Sequence, residues 1–158
     1  MRKILFRGQT RKYGERVRMG DGEKLPGNWV YGGVLQGAGA HSVIYGGKND
    51  DNFGRGFQNW CVYTDTLGQY TGLIDKNGKK IFEGDIVHVL GNQQIEDWKN
   101  VDYIGSIAFL DAGFCVIDGT INDHAFRRYQ LPRLDFDLEV IGNIHDNPEL
   151  LEVSEDGK

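Results

Sequence analysis

"DKNGKKIFEGDIVHVL", residues 75–90, decides how this chain is read. Asn77-Gly78 between two apolar runs is a strong hairpin signal, because a type I′ turn needs positive φ at both central residues. A two-residue turn there sets Lys76 opposite Lys79, Asp75 opposite Lys80, and Ile74 opposite Ile81. The second pair is charge-matched and the third apolar, so the register is coherent on both faces. Gly84 interrupts the next strand and predicts a bulge or bend. Beyond it Ile86, His88 and Leu90 alternate with Val87 and Val89, the period of a strand. Small bent barrels of the SH3 kind share this Gly-Asp-apolar strand opening. The stretch reads as architecture, with Asn77, Gly78 and Gly84 as structural turn residues.

Outward from it, strand-like segments recur: KILFRG (3–8), WVYGGVL (29–35), SVIYGG (42–47), WCVYT (60–64), QYTGLI (69–74) and KIFEGDIVHVL (80–90). DYIGSIAFL (102–110), GFCVID (113–118), FRRYQL (126–131) and LEVIGNI (138–144) follow. The polar, Gly-rich segments 9–27 and 47–57 read as loops. IEDWKNV spaces Ile95, Trp98 and Val101 for one or two helical turns, and NPELLEV sets Asn147 to cap and Pro148 to start a short C-terminal helix. Twenty-three glycines against three prolines fit many short strands joined by tight turns. The expected fold is mainly β: short strands in bent sheets or small barrel-like subdomains, with an SH3-like barrel as one arrangement of the C-terminal half. The expected division is an N-terminal β subdomain, 1–74, carrying a basic loop insertion, and a C-terminal barrel-like subdomain, 75–158. The two pack closely or form one domain.

A chain of 158 residues buries roughly 68–70% of its unfolded surface and needs neither disulfide nor metal to fold. Cys61 and Cys115 lie in apolar segments and read as buried free thiols of a reducing compartment. No run is long enough to span a membrane, and MRKILFRGQTRK lacks the apolar core of about 7–15 residues that a secretory signal needs. The expected location is the cytoplasm. Net charge is −5, unevenly spread. Residues 1–25 carry eight Lys/Arg against three Asp/Glu, a net of +5; residues 134–158 carry one Lys against eight Asp/Glu, a net of −7.

Chemistry-bearing patterns are weak. Counted as a calcium loop from Asp75, position five is Lys79 and position twelve Ile86, so the loop lacks its ligands. QGAGAHS (36–42) has glycines but no following Gly-Lys-Ser/Thr to hold phosphate. His41, His88, His124 and His145 share no metal spacing, although Asp123-His124 and His145-Asp146 are neighbours. A thiolate of Cys61 or Cys115 is disfavoured among apolar neighbours. No catalytic, cofactor-binding or metal residues are assigned. Lys76, Lys79 and Lys80 at the hairpin, with Arg127 and Arg128 on a later strand, are the candidate nucleic-acid contacts, set within an acidic chain.

KILFRG at 3–8, NWVYGG at 28–33, GQYTGLIDKNGKKIFEGDIV at 68–87 and LEVIGNIHDNPELL at 138–151 resemble the YopX-like proteins of bacteriophages and prophages. The chain departs from the family's pattern at 9–27, a long basic insertion, and matches little beyond strand pattern over 91–134. The resemblance implies a mostly β, phage-associated, oligomer-forming protein and offers no catalytic residues to carry over. The expected function is a non-enzymatic, homo-oligomeric binding or assembly module in the host cytoplasm, with a phage or host protein as partner, no cofactor and no membrane. Trp29, Tyr31, Leu150 and Leu151 are its candidate oligomer contacts. Two alternatives remain: a nucleic-acid accessory protein, and a small enzyme built from scattered His and Asp.

Overall fold

The computed structural model describes residues 4–10, 29–36, 41–47, 58–91, 101–118, 127–131 and 137–152. The chain divides into two compact units, Met1–Tyr70 and Thr71–Lys158. Both are built from antiparallel strands, so the protein is mainly β as its sequence predicts. The predicted helical turns at 95–101 and the 9–27 and 47–57 loops fall almost wholly outside the described residues. Among the described residues, no helix is long and apolar enough to cross a membrane.

Unit 1 contains β1 (Phe6–Gln9), β2 (Trp29–Gln36), β3 (His41–Gly47), β4 (Gln58–Tyr63), a 3₁₀ turn (Thr64–Thr66) and the start of β5 (Gly68–Ile74). Its strands lie in the order β4-β3-β2-β1-β5. Strand β1 pairs with β2 from Phe6↔Gly32 to Gln9↔Trp29, then reaches β4 through a bridge at Thr10↔Val62. The sheet therefore curls over its own small core of Val30, Ile44 and Val62, with Trp60 and Leu67 against it. Curling demands close backbone approach, and two residues without side chains permit it. A Cβ on Gly8 would sit 3.1 Å from Val62, and one on Gly32 only 1.8 Å from the Tyr45 carbonyl oxygen. The turn Thr66 is buried and closes the corner: its hydroxyl donates to Tyr63 O (2.7 Å) and accepts from Gln9 N (2.9 Å).

The sequence reading put both thiols inside, and β4 corrects this for one of them. Cys61 is exposed and Cys115 buried. Cys61 alternates with the fully buried Val62, so the two-residue period turns it away from the core.

Unit 2 takes up the end of β5, then β6 (Lys80–Phe82), β7 (Asp85–Leu90), β8 (Asp102–Leu110), β9 (Gly113–Asp118), β10 (Arg127–Gln130), β11 (Asp137–Asn143) and α1 (Glu149–Glu152). Strands β7 to β11 form a sheet in the order β10-β9-β8-β7-β11. Its edges, β10 and β11, do not pair with each other among the described residues, so the barrel-like arrangement expected for this half gives way to an open sheet. One face buries Val87, Val89, Ile107, Phe114, Val116, Leu131, Leu138 and Val140, joined by Ile81 from β6. Each such side chain contributes about 1.5–3 kcal/mol by burial. Past a register shift between Val140 and Gly142, the chain turns back on itself. Asn143 Oδ1 accepts the N–H groups of His145 and Asp146, each at 3.0 Å, and Leu150 of α1 packs over Gly142.

The close approach at Gly32 has a direct test. Gly32→Ala is expected to destabilise by about 2–3 kcal/mol, since strand backbone and not a flexible tip must move. Gly33→Ala, one residue on, is expected to change little, because nothing lies within 4 Å of a Cβ there. Denaturant midpoints of the two variants measure the difference, and equal midpoints would exclude the curled packing.

Candidate functional site

The most elaborate polar arrangement described centres on Asp75, at the tip of the β5–β6 hairpin. Its side chain is 5% exposed. Oδ1 accepts the N–H groups of Asn77 and Lys79, both at 2.8 Å. Oδ2 accepts the N–H of Val140 on β11, at 3.0 Å and 65 residues away in sequence. Lys76 N donates to Leu138 O at 2.9 Å, so backbone and side chain together fasten the tip to the outer edge of β11. Burial pushes the Asp75 carboxyl up, but the N–H donors of Val140, Lys79 and Asn77, with the Lys79 charge, outweigh it and hold it below its ordinary value.

This carboxylate also corrects the turn. Gly78 has φ +81, but Asn77 does not take the left-handed conformation; among described non-glycine residues only Asp111 and Ala112 do. Gly78 N donates to Asp75 O at 3.0 Å and Asp75 N to Lys79 O at 2.8 Å. That is the pattern of a type I turn followed by a left-handed glycine, with one more loop residue than the two-residue turn. Asp75 therefore faces Lys79 and not Lys80. The physical reason is the double acceptance at Asp75 Oδ1, which holds the turn in its right-handed form.

A second buried carboxylate shapes the next corner. Asp85, 1% exposed, accepts the N–H of Phe82 at 2.8 Å. Gly84 stands in the turn between β6 and β7 with φ +79, donating to Ile107 O (2.8 Å) and accepting from Ile144 N (2.9 Å). The predicted single bent strand 80–90 is thus two strands, because both backbone groups of Gly84 are diverted to other segments.

Around the hairpin runs a row of charges. Lys76 Nζ lies 2.6 Å from Glu139 Oε2, and Asn77 Nδ2 donates to Glu139 Oε1 at 3.4 Å. The bond to Glu139 raises the Lys76 ammonium above its ordinary value, and the bond to Lys76 lowers the Glu139 carboxyl. Glu139 stands opposite His88 in the β11–β7 register, and His88 Nε2 lies 2.7 Å from Asp102 Oδ1. Lys76 and Lys79 therefore sit among Asp75, Asp137 and Glu139, not on an unopposed basic surface. Arg127 and Arg128 lie on β10, at the other edge of the sheet from β11. Four strand spacings separate those edges, about 19 Å. Strand order places the backbone of Arg127 and Arg128 on a different edge from the hairpin lysines; the side chains of Arg127 and Arg128 lie outside the described residues.

For the enzymatic alternative, His88 and Asp102 come together as a His–Asp pair, and it lies on an exposed face. His124 and the His41 side chain lie outside the described residues. Among the described residues, no group of three His, Cys, Asp or Glu side chains could hold a metal ion. Burial pushes the Cys115 thiol up, away from thiolate chemistry. Of the candidate oligomer contacts, Trp29 carries the Arg7 guanidinium 4.7 Å from its ring centroid, and Tyr31 stands opposite Arg7 in the strand register. Leu150 and Leu151 are half-buried on α1. Sequence reasoning missed the anchoring roles of Asp75, Asp85 and Glu139. An Asp two residues before Asn-Gly signals a side-chain-supported turn, but nothing local points to Val140 or Glu139.

Fold and site define a two-unit antiparallel β protein whose most elaborate polar groups hold backbone. The chain belongs to the YopX protein family, whose model matches residues 26–152. The match includes NWVYGG, the central motif and LEVIGNIHDNPELL; KILFRG and most of the 9–27 insertion lie outside it. Among solved structures, the crystal structure of protein EF1440 from Enterococcus faecalis is similar, at 32% identity over 61% of this chain and 69% of that chain, with a TM-score of 0.36. No curated protein matches the chain.

Two measurements test the hairpin. Asp75→Asn is expected to cost about 2–4 kcal/mol at neutral pH, because charge-assisted bonds are lost and an amide N–H₂ faces a donor. The native Asp75 carboxyl lies below its unfolded value of about 3.9, so its contribution is complete above that value and is lost as pH falls through the native one. The wild-type advantage should accordingly shrink below about pH 4, as read from denaturant midpoints across pH. A gap independent of pH would mean that the charge does not matter. In the turn itself, Gly78→Val is expected to cost about 1–2 kcal/mol from left-handed strain. Asn77→Gly should cost about 0.4–1 kcal/mol through unfolded-state entropy, whereas a two-residue type I′ turn would leave it neutral.

Proposed function

We propose that this YopX family member is a non-enzymatic binding or assembly module, encoded by a phage or prophage and acting as a homo-oligomer in the host cytoplasm. One observation carries the reading. The two buried carboxylates among the described residues, Asp75 and Asp85, both receive backbone N–H groups and thereby fix corners of unit 2. Groups with the burial that catalysis would exploit are thus committed to holding strands in place. Large apolar side chains remain at the surface, including Ile74 at 60% and Phe109 at 51% exposure.

The oligomer is proposed to form between copies of this chain, head to tail. The +5 of residues 1–25 complements the −7 of residues 134–158. Exposed ion pairs are worth about 0–1 kcal/mol each and are screened beyond roughly 8 Å, so apolar contact must supply the lasting part. The phage or host partner would bind the assembled form.

Light scattering after size exclusion, at low and high salt, tests this. The full chain at tens of micromolar is expected to be an oligomer that survives high salt. Replacing Glu149, Glu152, Glu155 and Asp156 by their amides is expected to lower its mass on dilution. A monomer at every salt concentration would refute assembly, and an amide variant of unchanged mass would refute the role of the acidic end.

A further inference from the structure

The chain contains a single Asn-Gly pair, and it sits at the tip of the Asp75 hairpin. Asn77 and Gly78 are both exposed, and nothing lies within 4 Å of where a Gly78 side chain would be. The chemistry open to such a pair is intramolecular. The Gly78 backbone nitrogen loses its proton and attacks Cγ of Asn77; the Cγ–Nδ2 bond breaks, and the leaving nitrogen recovers a proton as ammonia. Water then opens the five-membered imide at either carbonyl, leaving aspartate or isoaspartate at position 77. No oxidant, cofactor or second protein is required.

We propose that Asn77-Gly78 is a self-modifying site, held back by the Asp75 clasp and able to release it once converted. The restraint acts on both reactants. The Gly78 nitrogen is bound to Asp75 O at 3.0 Å, the Asn77 nitrogen to Asp75 Oδ1 at 2.8 Å, and the Asn77 amide is engaged by Glu139 at 3.4 Å. Imide formation needs the Gly78 nitrogen to leave its acceptor and swing toward Cγ, so it must wait for the turn to open. The product opposes reclosure. Aspartate at 77 replaces a donor to Glu139 with a second negative charge. Isoaspartate adds a backbone methylene inside a loop whose N–H groups at 77 and 79 must both reach one Asp75 oxygen. Either change works against the Asp75–Val140 and Lys76–Leu138 bonds that join the hairpin to β11. The modification would convert a fastened tip into a free one, irreversibly and with time.

The test follows residue 77 in the full-length chain by peptide mass spectrometry and ammonia release, in native buffer and in urea at the same pH and temperature. Conversion is expected at residue 77 in both, at least about tenfold slower in the native chain because of the opening step. Asp75→Asn should recover most of that difference. Glu139→Gln, which keeps the side chain's size and leaves the three bonds to Asp75 in place, should recover a smaller part and decides the point if Asp75→Asn does not fold. Amide exchange at Lys76 and Val140 is expected to quicken in the converted chain. Equal rates in native buffer and urea would overturn the restraint. Absence of native conversion over about a hundred unfolded-chain half-times would overturn self-modification. Unchanged exchange at Lys76 and Val140 after conversion would overturn the release.

Discussion

A carboxylate removed from water loses several kcal/mol of hydration unless the protein replaces it. At Asp75 the replacement is three backbone N–H groups, two from its own turn and one from β11. Charge-assisted bonds of this kind return about 1.5–3 kcal/mol each, enough to offset the penalty and leave the group ionised. The lowered carboxyl of Asp75 expresses that balance. One side chain thereby fixes the turn type, the hairpin register and the docking of the tip on β11. The Lys76–Glu139 pair and the Lys76–Leu138 bond are reached only from that docked position.

The same economy governs the other corners, which are made without long helices. Phe82, Gly84 and Asp85 fold strand β6 into β7 by sending backbone groups to a carboxylate, to Ile107 and to Ile144. Asn143 folds the chain after β11 by accepting two N–H groups on one side-chain oxygen. Where no side chain could fit, glycine appears: Gly32 against the Tyr45 carbonyl, and Gly105 with its Cβ position 2.5 Å from Ile117 O. These are different devices. Gly78 and Gly84 supply a left-handed φ, whereas Gly32 and Gly105 supply the absence of a Cβ.

Strand positions were legible because their signals are local. DYIGSIAFL and GFCVID coincide with β8 and β9, since a long apolar run bounded by turn residues leaves one place for each strand. The turn at Asn77-Gly78 was legible in place but not in type, because its type depends on where the Asp75 side chain points. Burial of Cys61 was misjudged because apolar neighbours in sequence do not reveal which face of β4 a residue takes. Strand order was not legible at all. Arg127 and Arg128 look like partners of the hairpin lysines in composition, yet order β10-β9-β8-β7-β11 sends them to the opposite edge. Glu139 and Val140 are likewise invisible from Asp75, because a contact 65 residues away carries no local mark.

That distribution of charge bears on which kind of partner this surface can hold. A nucleic-acid site gains affinity by releasing counterions from phosphates, and each cation counts only if it is available to neutralise one. Lys76 is already neutralised by Glu139, with Asp137 nearby, so a phosphate must displace Glu139 before it gains that cation. The row continues through His88 and Asp102, which meet on neighbouring strands at 2.7 Å. Exposed apolar side chains such as Ile74 and Phe109, Phe109 already stacked edge-on against the core residue Phe114 at 5.1 Å, offer apolar area that phosphate contacts would leave uncovered. Covering the exposed part of one of them contributes about 1–1.5 kcal/mol without dismantling any existing bond. The physical asymmetry between those two routes, displacing a formed ion pair or covering a half-exposed ring, is what supports the proposed protein contact over the nucleic-acid alternative.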